Sequence, residues 1–213
     1  MQGMADNIMA VLMLISLALA ASSRFTACIS LVAFQGVALG LIPLFSQAGL
    51  SLRTLFLAGL VVAVKGLVFP RLLARAVRDT NAYREVAPFV GYGLSIVIGI
   101  FLLAVSFWVG HRLPLPVHGG SSLVVPGAIS AILTGLFLIT SRRQAVMQVL
   151  GYLVMENGIA AFGLAVVPEI PLLIELGILL DVFVGVFVMA IAIWHISHEF
   201  DNINTDQLST LKG

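Results

Sequence analysis

The chain has 213 residues, 60% of them hydrophobic and 10% charged, with a formal net charge of +1 and a mean hydropathy of +1.11. An ordinary soluble domain carries about 25% charged residues, so this composition excludes one and points to a polytopic all-α membrane protein. The near-zero net charge excludes a nucleic-acid partner, because no basic surface is large enough to hold phosphates.

A spanning helix needs about 20 mostly apolar residues, and the pattern predicts seven, at 5–23, 26–47, 52–74, 88–110, 123–141, 145–167 and 171–195. The first has only Asp6 as a charge before Arg24. It lacks the basic n-region of a signal peptide and reads as a span. Ser22-Ser23-Arg24 separates it from the second, which carries the single cysteine, Cys28, in an apolar run. One cysteine forms no internal disulfide and has no metal-ligand companions, so it reads as a small apolar residue. Ser46-Gln47-Ala48-Gly49 is a turn signal before the third span. That span contains Lys65, Gly66 and Pro70. Pro70 cannot donate to the carbonyl four residues back, which predicts a disturbed helix near Gly66.

The most charged stretch, 75–85, follows, and then the fourth span. Residues 111–122 bring two prolines and two adjacent glycines before the fifth. Ser141-Arg142-Arg143 is a tight basic turn into the sixth, and Pro168-Glu169-Ile170-Pro171 ends the sixth and starts the seventh. An outside N terminus places Arg24, Arg71, Arg75, Arg78, Arg84, Arg142, Arg143 and Lys212 on the inner side and only Arg53 and Arg112 on the outer. This bias fixes the expected orientation, with a cytoplasmic C terminus.

Four ionisable residues interrupt the apolar pattern: Lys65, Glu156, Glu175 and Asp181. A charge at the bilayer centre costs about 3 kcal/mol or more, so such residues mark function by default. Counted from the span ends at about 1.5 Å per residue, Glu156 lies roughly 18 Å deep, Asp181 roughly 15 Å and Lys65 roughly 20 Å. All three fall near the midplane of a core about 30 Å thick. Glu175 is about one turn from the outer end and can reach water. Gln144, Gln148, Tyr152 and Glu156 recur every four residues and line one side of the sixth helix from the inner surface to the midplane. Such a stripe suits water and a proton route to Glu156, or else interhelical hydrogen bonds alone. Gly177, Asp181 and Gly185 share a helical face on which a partner can come close. Lys65 calls for a carboxylate partner or a water-filled cavity, and Asp181 suits either proton transfer or a buried ion pair. His195 and His198 read as interfacial residues at the inner end of the last span. No phosphate-cradling loop, Cys/His metal set or nucleophile–base pattern is present, so no cofactor and no self-contained chemistry is expected in the chain.

The segments Ser141-Arg-Arg-Gln144, Gly151-Tyr-Leu-Val-Met-Glu-Asn-Gly158, Ile174-Glu-Leu-Gly-Ile-Leu-Leu-Asp181 and the tail Leu208-Ser-Thr-Leu-Lys-Gly213 together resemble the hydrogenase-4 component E family, as does VKGLVFPRLL around Lys65. The resemblance implies a membrane subunit of a group 4 energy-converting [NiFe] hydrogenase or formate hydrogenlyase complex. It implies as partners antiporter-like membrane subunits, a membrane anchor subunit and peripheral subunits that carry the [NiFe] centre and Fe–S clusters. It also implies residence in a bacterial or archaeal cytoplasmic membrane. Residues 123–213 further resemble subunit K of respiratory complex I and its small counterpart in multisubunit cation/proton antiporters. The chain then divides into four N-terminal helices, 1–122, and a three-helix unit, 123–213, within a single membrane domain. In that family an arginine pair precedes an essential glutamate and a second acid follows in the next helix. Arg142-Arg143, Glu156 and Asp181 fill those places, with Glu156 about one turn further along and aspartate in place of glutamate.

Three functions compete. In the first, Glu156 and Asp181 relay protons with Lys65, Tyr152, Gln148 and Glu175 assisting, and redox chemistry in partner subunits drives ion movement. In the second, the chain only anchors the complex. In the third it is a stand-alone transporter, against which it shows no clear inverted repeat.

Overall fold

The computed structural model describes residues 2–41, 52–79, 89–113 and 123–166, and the single positions 177, 180, 184 and 185. The described residues build helices and no strand. Helix α1 is Gln2–Ala21 and α2 is Phe25–Leu41. Helix α3 runs unbroken over 52–79 as Leu52–Ala63, a π-helical turn Val64–Val68, and Phe69–Asp79. Helices α4, α5 and α6 are Tyr92–Arg112, Val124–Ser141 and Ala145–Val166. Among the described residues four segments are long and apolar enough to cross a membrane: Leu55–Arg78, Tyr92–Arg112, Val124–Ser141 and Ala145–Gly163. Asp6–Ala21 and Phe25–Leu41 are shorter apolar helices. Six of the seven expected helices are therefore found, and most of the seventh, 171–195, lies outside the described residues.

Two boundaries differ from the expectation. Helix α3 continues past Ala74 to Asp79 because its last turns are amphipathic: Leu73, Ala76 and Val77 are buried while Arg71, Arg75 and Arg78 stand outside. Helix α4 starts at Tyr92, not at 88, because Phe89 is tied by its N–H to the Ser141 carbonyl at 3.0 Å and Gly91 is extended, with ψ 150°.

Packing runs on small residues, as it must where lipid removes the hydrophobic drive between helices. A methyl group placed on Gly135 would meet the Gly151 carbonyl at 2.6 Å, one on Gly151 the Ile139 nitrogen at 2.9 Å, and one on Gly158 the Ala128 carbonyl at 2.8 Å. Helices α5 and α6 thus touch backbone to backbone. Gly127 on α5 receives Met9 and Met13 of α1, and Gly99 on α4 receives Leu17 and Ala20. Helices α2 and α3 run antiparallel, with Gly36 against Lys65, Gly66 against Val37 and Gly40 against Val61.

The loops sort by charge. One end of the bundle gathers the α1–α2 turn, the start of α4 and the α5–α6 turn. There Arg142, 0% exposed, donates to the Ala20 carbonyl at 2.7 Å and lies 4.8 Å from the Tyr92 ring centroid, and Arg143 lies 4.5 Å from that of Phe89. The α3 terminus with Arg75 and Arg78 belongs to the same end, since α3 runs antiparallel to α2. At the opposite end α4 closes on Pro126 at Gly110, and Arg112 stacks 4.6 Å from the Trp108 ring centroid.

Candidate functional site

The π-helical turn in α3 follows from Pro70. Its nitrogen has no hydrogen, so the Gly66 carbonyl loses its usual donor, and its ring crowds that carbonyl. Over Val64–Val68 the helix widens, and the Phe69 N–H reaches back five residues to the Val64 carbonyl. Single π turns of this kind concentrate at functional sites. Lys65 sits in this turn.

The Lys65 stem crosses α2 at Gly36. A methyl group there would stand 2.8 Å from its Cδ and 2.9 Å from its Cβ, so glycine is what allows the lysine through. Beyond Gly36 the ammonium reaches α6, where it donates to Glu156 Oε2 at 2.6 Å and to Asn157 Oδ1 at 2.8 Å. All three are buried: Lys65 is 9% exposed, Glu156 4% and Asn157 2%. Both distances are those of short charge-assisted hydrogen bonds. The expected carboxylate partner of Lys65 is thus Glu156. The other carboxylate oxygen, Oε1, faces the seventh apolar segment, where a methyl group on Gly177 would lie 3.6 Å away. Gly185 approaches Phe69 and Leu72 of α3 in the same manner. Asp181 and Glu175 lie outside the described residues.

Depth counting does not mark Asn157, because it picks out charges and passes over neutral amides; only the segment Gly151–Gly158 that carries the resemblance contains it. Neighbours on a helix point about 100° apart, so a glutamate and the residue after it share a ligand only when that ligand reaches between them. The lysine, entering from a third helix, does so. Beside it, Lys65, Asn157, Ile29, Phe69, Pro70 and Leu153 help line a cavity of about 10 Å³, close to the room one water needs.

The polar stripe on α6 is partly committed to structure. Gln148 donates to the Arg142 carbonyl at 3.0 Å and so ties off the α5–α6 turn. Gln144 Oε1 is buried with no hydrogen-bond partner among the described residues. Tyr152 is half-buried against the core one turn before Glu156. Cys28 is fully buried, and no group of His, Cys, Asp and Glu suited to a metal occurs among the described residues.

No protein-family model matches the chain, and no solved structure is significantly similar to it. Hydrogenase-4 component E of Escherichia coli strain K12 is 26% identical to it over 149 residues, 70% of this chain and 69% of that protein, and the Shigella flexneri protein of the same name matches equally. An uncharacterized protein of Mycobacterium tuberculosis, Rv0085, is 35% identical over 188 residues, which is 87% of this chain and 86% of the mycobacterial one. At that identity over nearly the whole of both proteins, the chain belongs to the same family as Rv0085.

Proposed function

We propose that the chain is a seven-span membrane subunit of a hydrogenase-type, complex I-like assembly and relays protons through Lys65 and Glu156. The observation that carries this reading is the buried pair itself, an ammonium 2.6 Å from a carboxylate inside an apolar bundle. Removing two charges from water costs several kcal/mol per ion before their attraction repays it. Hydrophobic residues of the same size would hold the helices at no such cost. The similarity to hydrogenase-4 component E supports the assembly. The gathering of basic loops at one end supports an outside N terminus and a cytoplasmic C terminus.

In this reading a proton reaching Glu156 neutralises the carboxylate and releases Lys65 from its counter-ion. The ammonium, still held by Asn157, is then poised to give up its own proton. Asp181 and Glu175 on the seventh segment continue the route, with Tyr152 and Gln148 on the inner side. In this reading the chain itself supplies no redox centre. The [NiFe] and Fe–S chemistry implied by the family belongs to peripheral subunits, with antiporter-like subunits and a membrane anchor beside it, in a bacterial or archaeal cytoplasmic membrane.

The test is Glu156→Gln in a deletion strain of the native host. Inverted membrane vesicles are energised with hydrogen or formate, and proton uptake is read with a pH-sensitive dye. Loss of a proton-transfer group costs about 100-fold or more, so uptake falls to background while the complex still assembles. Unchanged uptake in an assembled complex would leave only the anchoring role.

A further inference from the structure

The outward face of α3 changes character after Val68. Leu67 is 52% exposed and Val68 47%, and on the same side follow Arg71, Arg75 and Arg78, all exposed. At about 100° per residue these five positions share an arc of about 100°, while Phe69, Leu73, Ala76 and Val77 on the other side are buried. Counted from Leu52 at about 1.5 Å per residue, Arg71 lies roughly 28 Å along the span and Arg78 roughly 39 Å. A hydrocarbon core is about 30 Å thick within a bilayer of about 40–45 Å, so the arginines run from the core edge through one headgroup layer.

Arg71 Nη1 donates to the Leu67 carbonyl at 3.3 Å and Arg78 Nε to the Ala74 carbonyl at 3.4 Å, both long contacts to their own helix. Neither guanidinium has a carboxylate partner among the described residues. Arg75, midway between them, makes further interactions within the chain. The arginines of the α5–α6 turn are engaged differently, Arg142 buried on the Ala20 carbonyl and Arg143 against the Phe89 ring. A guanidinium offers five donors in a fork that matches a phosphate. At the core edge a lipid phosphate is the anion at hand, whereas a partner protein would have to bring a carboxylate to that depth at a desolvation cost of its own. Apolar side chains first and guanidinium groups beyond them repeat the order of acyl chain and headgroup in a phospholipid.

We propose that this face of α3 binds an anionic phospholipid, its phosphate held by Arg71, Arg75 and Arg78 and its acyl chains against Leu67 and Val68. The site needs α3 to span the bilayer and is independent of the proton relay, so the Glu156→Gln assay has no bearing on it.

The experiment titrates the detergent-purified full chain with phosphatidylglycerol and, separately, with phosphatidylcholine of the same acyl chains, and counts bound lipid by native mass spectrometry. Wild type is expected to prefer phosphatidylglycerol by about ten-fold or more. An arginine beside an anionic lipid is worth about five-fold in affinity, so Arg71→Gln and Arg78→Gln each lose about that much and the double variant roughly 25-fold. Arg143→Gln removes one charge from the same end of the bundle and loses less than about two-fold. Equal affinity of wild type for the two lipids overturns the site, and so does an equal loss in Arg143→Gln, which reduces it to the general charge of this end. Displacement of phosphatidylglycerol by an equal concentration of inorganic phosphate also overturns it, in favour of a free-anion site. If the double variant does not accumulate, the single variants decide. Loss of a neighbouring subunit from the purified native complex of Arg71→Gln/Arg78→Gln, with phosphatidylglycerol affinity unchanged, would assign the face to an acidic protein partner instead.

Discussion

Replacing Lys65 with methionine keeps the unbranched stem on Gly36 and deletes only the ammonium. Glu156 Oε2 then loses a donor at 2.6 Å and Asn157 Oδ1 loses one at 2.8 Å, both on buried side chains. Removing one member of a buried pair costs about 3–5 kcal/mol, because it leaves an uncompensated charge. The average interhelical hydrogen bond in a membrane protein is worth about 0.6 kcal/mol, so the two effects are easily separated. Glu156→Gln leaves the opposite charge unmatched, at a cost of about the same size. The double variant Lys65→Met/Glu156→Gln strands neither charge. Its cost is therefore about 1–2 kcal/mol, the loss of the hydrogen bonds alone. The coupling energy from this cycle is then about 4 kcal/mol or more. Unfolding of the detergent-reconstituted chain by titration with a denaturing detergent, followed by circular dichroism, measures it. Additivity within about 0.5 kcal/mol would refute the idea that the pair is a closed electrostatic unit.

Gly36→Ala drives a methyl group into the Lys65 stem at 2.8–2.9 Å. The Lys65–Glu156 coupling measured in that background is expected to fall by about half or more as the ammonium is displaced; an unchanged coupling would show that the glycine does not set the lysine's path. Gly151→Ala places a methyl group 2.9 Å from both the Gly135 carbonyl and the Ile139 nitrogen. Overpacking of this kind costs about 1–3 kcal/mol, read as a lower unfolding midpoint, and a compensating rise would contradict the backbone contact. Arg142→Lys keeps the charge and loses the planar group over Tyr92. A loss of about 2 kcal/mol is expected, and full stability in this variant would rule out the stacked clamp. Single cysteines at Ser22 and His111 in a Cys28→Ala background should be labelled by a membrane-impermeant thiol reagent from opposite sides, Ser22 from the cytoplasm; labelling from one side would break the proposed topology.

Six of the seven expected helices and the pairing of Lys65 were legible because charge is so rare in this chain. Counting residues from the span ends put Lys65 and Glu156 at one depth, and they meet at 2.6 Å. Pro70 announced the disturbance at Gly66 because a proline always removes one donor, and the π-helical turn is centred there. Three features were not legible. Asn157 is a neutral amide, and nothing in its spacing separates a ligand from a packing residue. Arg142 read as a loop cation, yet it is fully buried, since only the fold brings the end of α1 and the start of α4 around it. The four-residue stripe did not show the use of Gln148, which depends on how the α5–α6 turn closes.

The contact between α5 and α6 also sets the two members of the pair on helices of different burial. Helix α5 buries 56% of its spanning segment and α6 61%, whereas α3 buries 17%. With Gly135, Gly151 and Gly158 packed backbone on backbone, the carboxylate is mounted on the closely packed α5–α6 pair. The ammonium is mounted on the more exposed α3, in a helix that already carries one surplus residue. A neighbouring subunit packed on the exposed side of α3 would therefore touch the helix that carries the lysine, not the one that carries the glutamate.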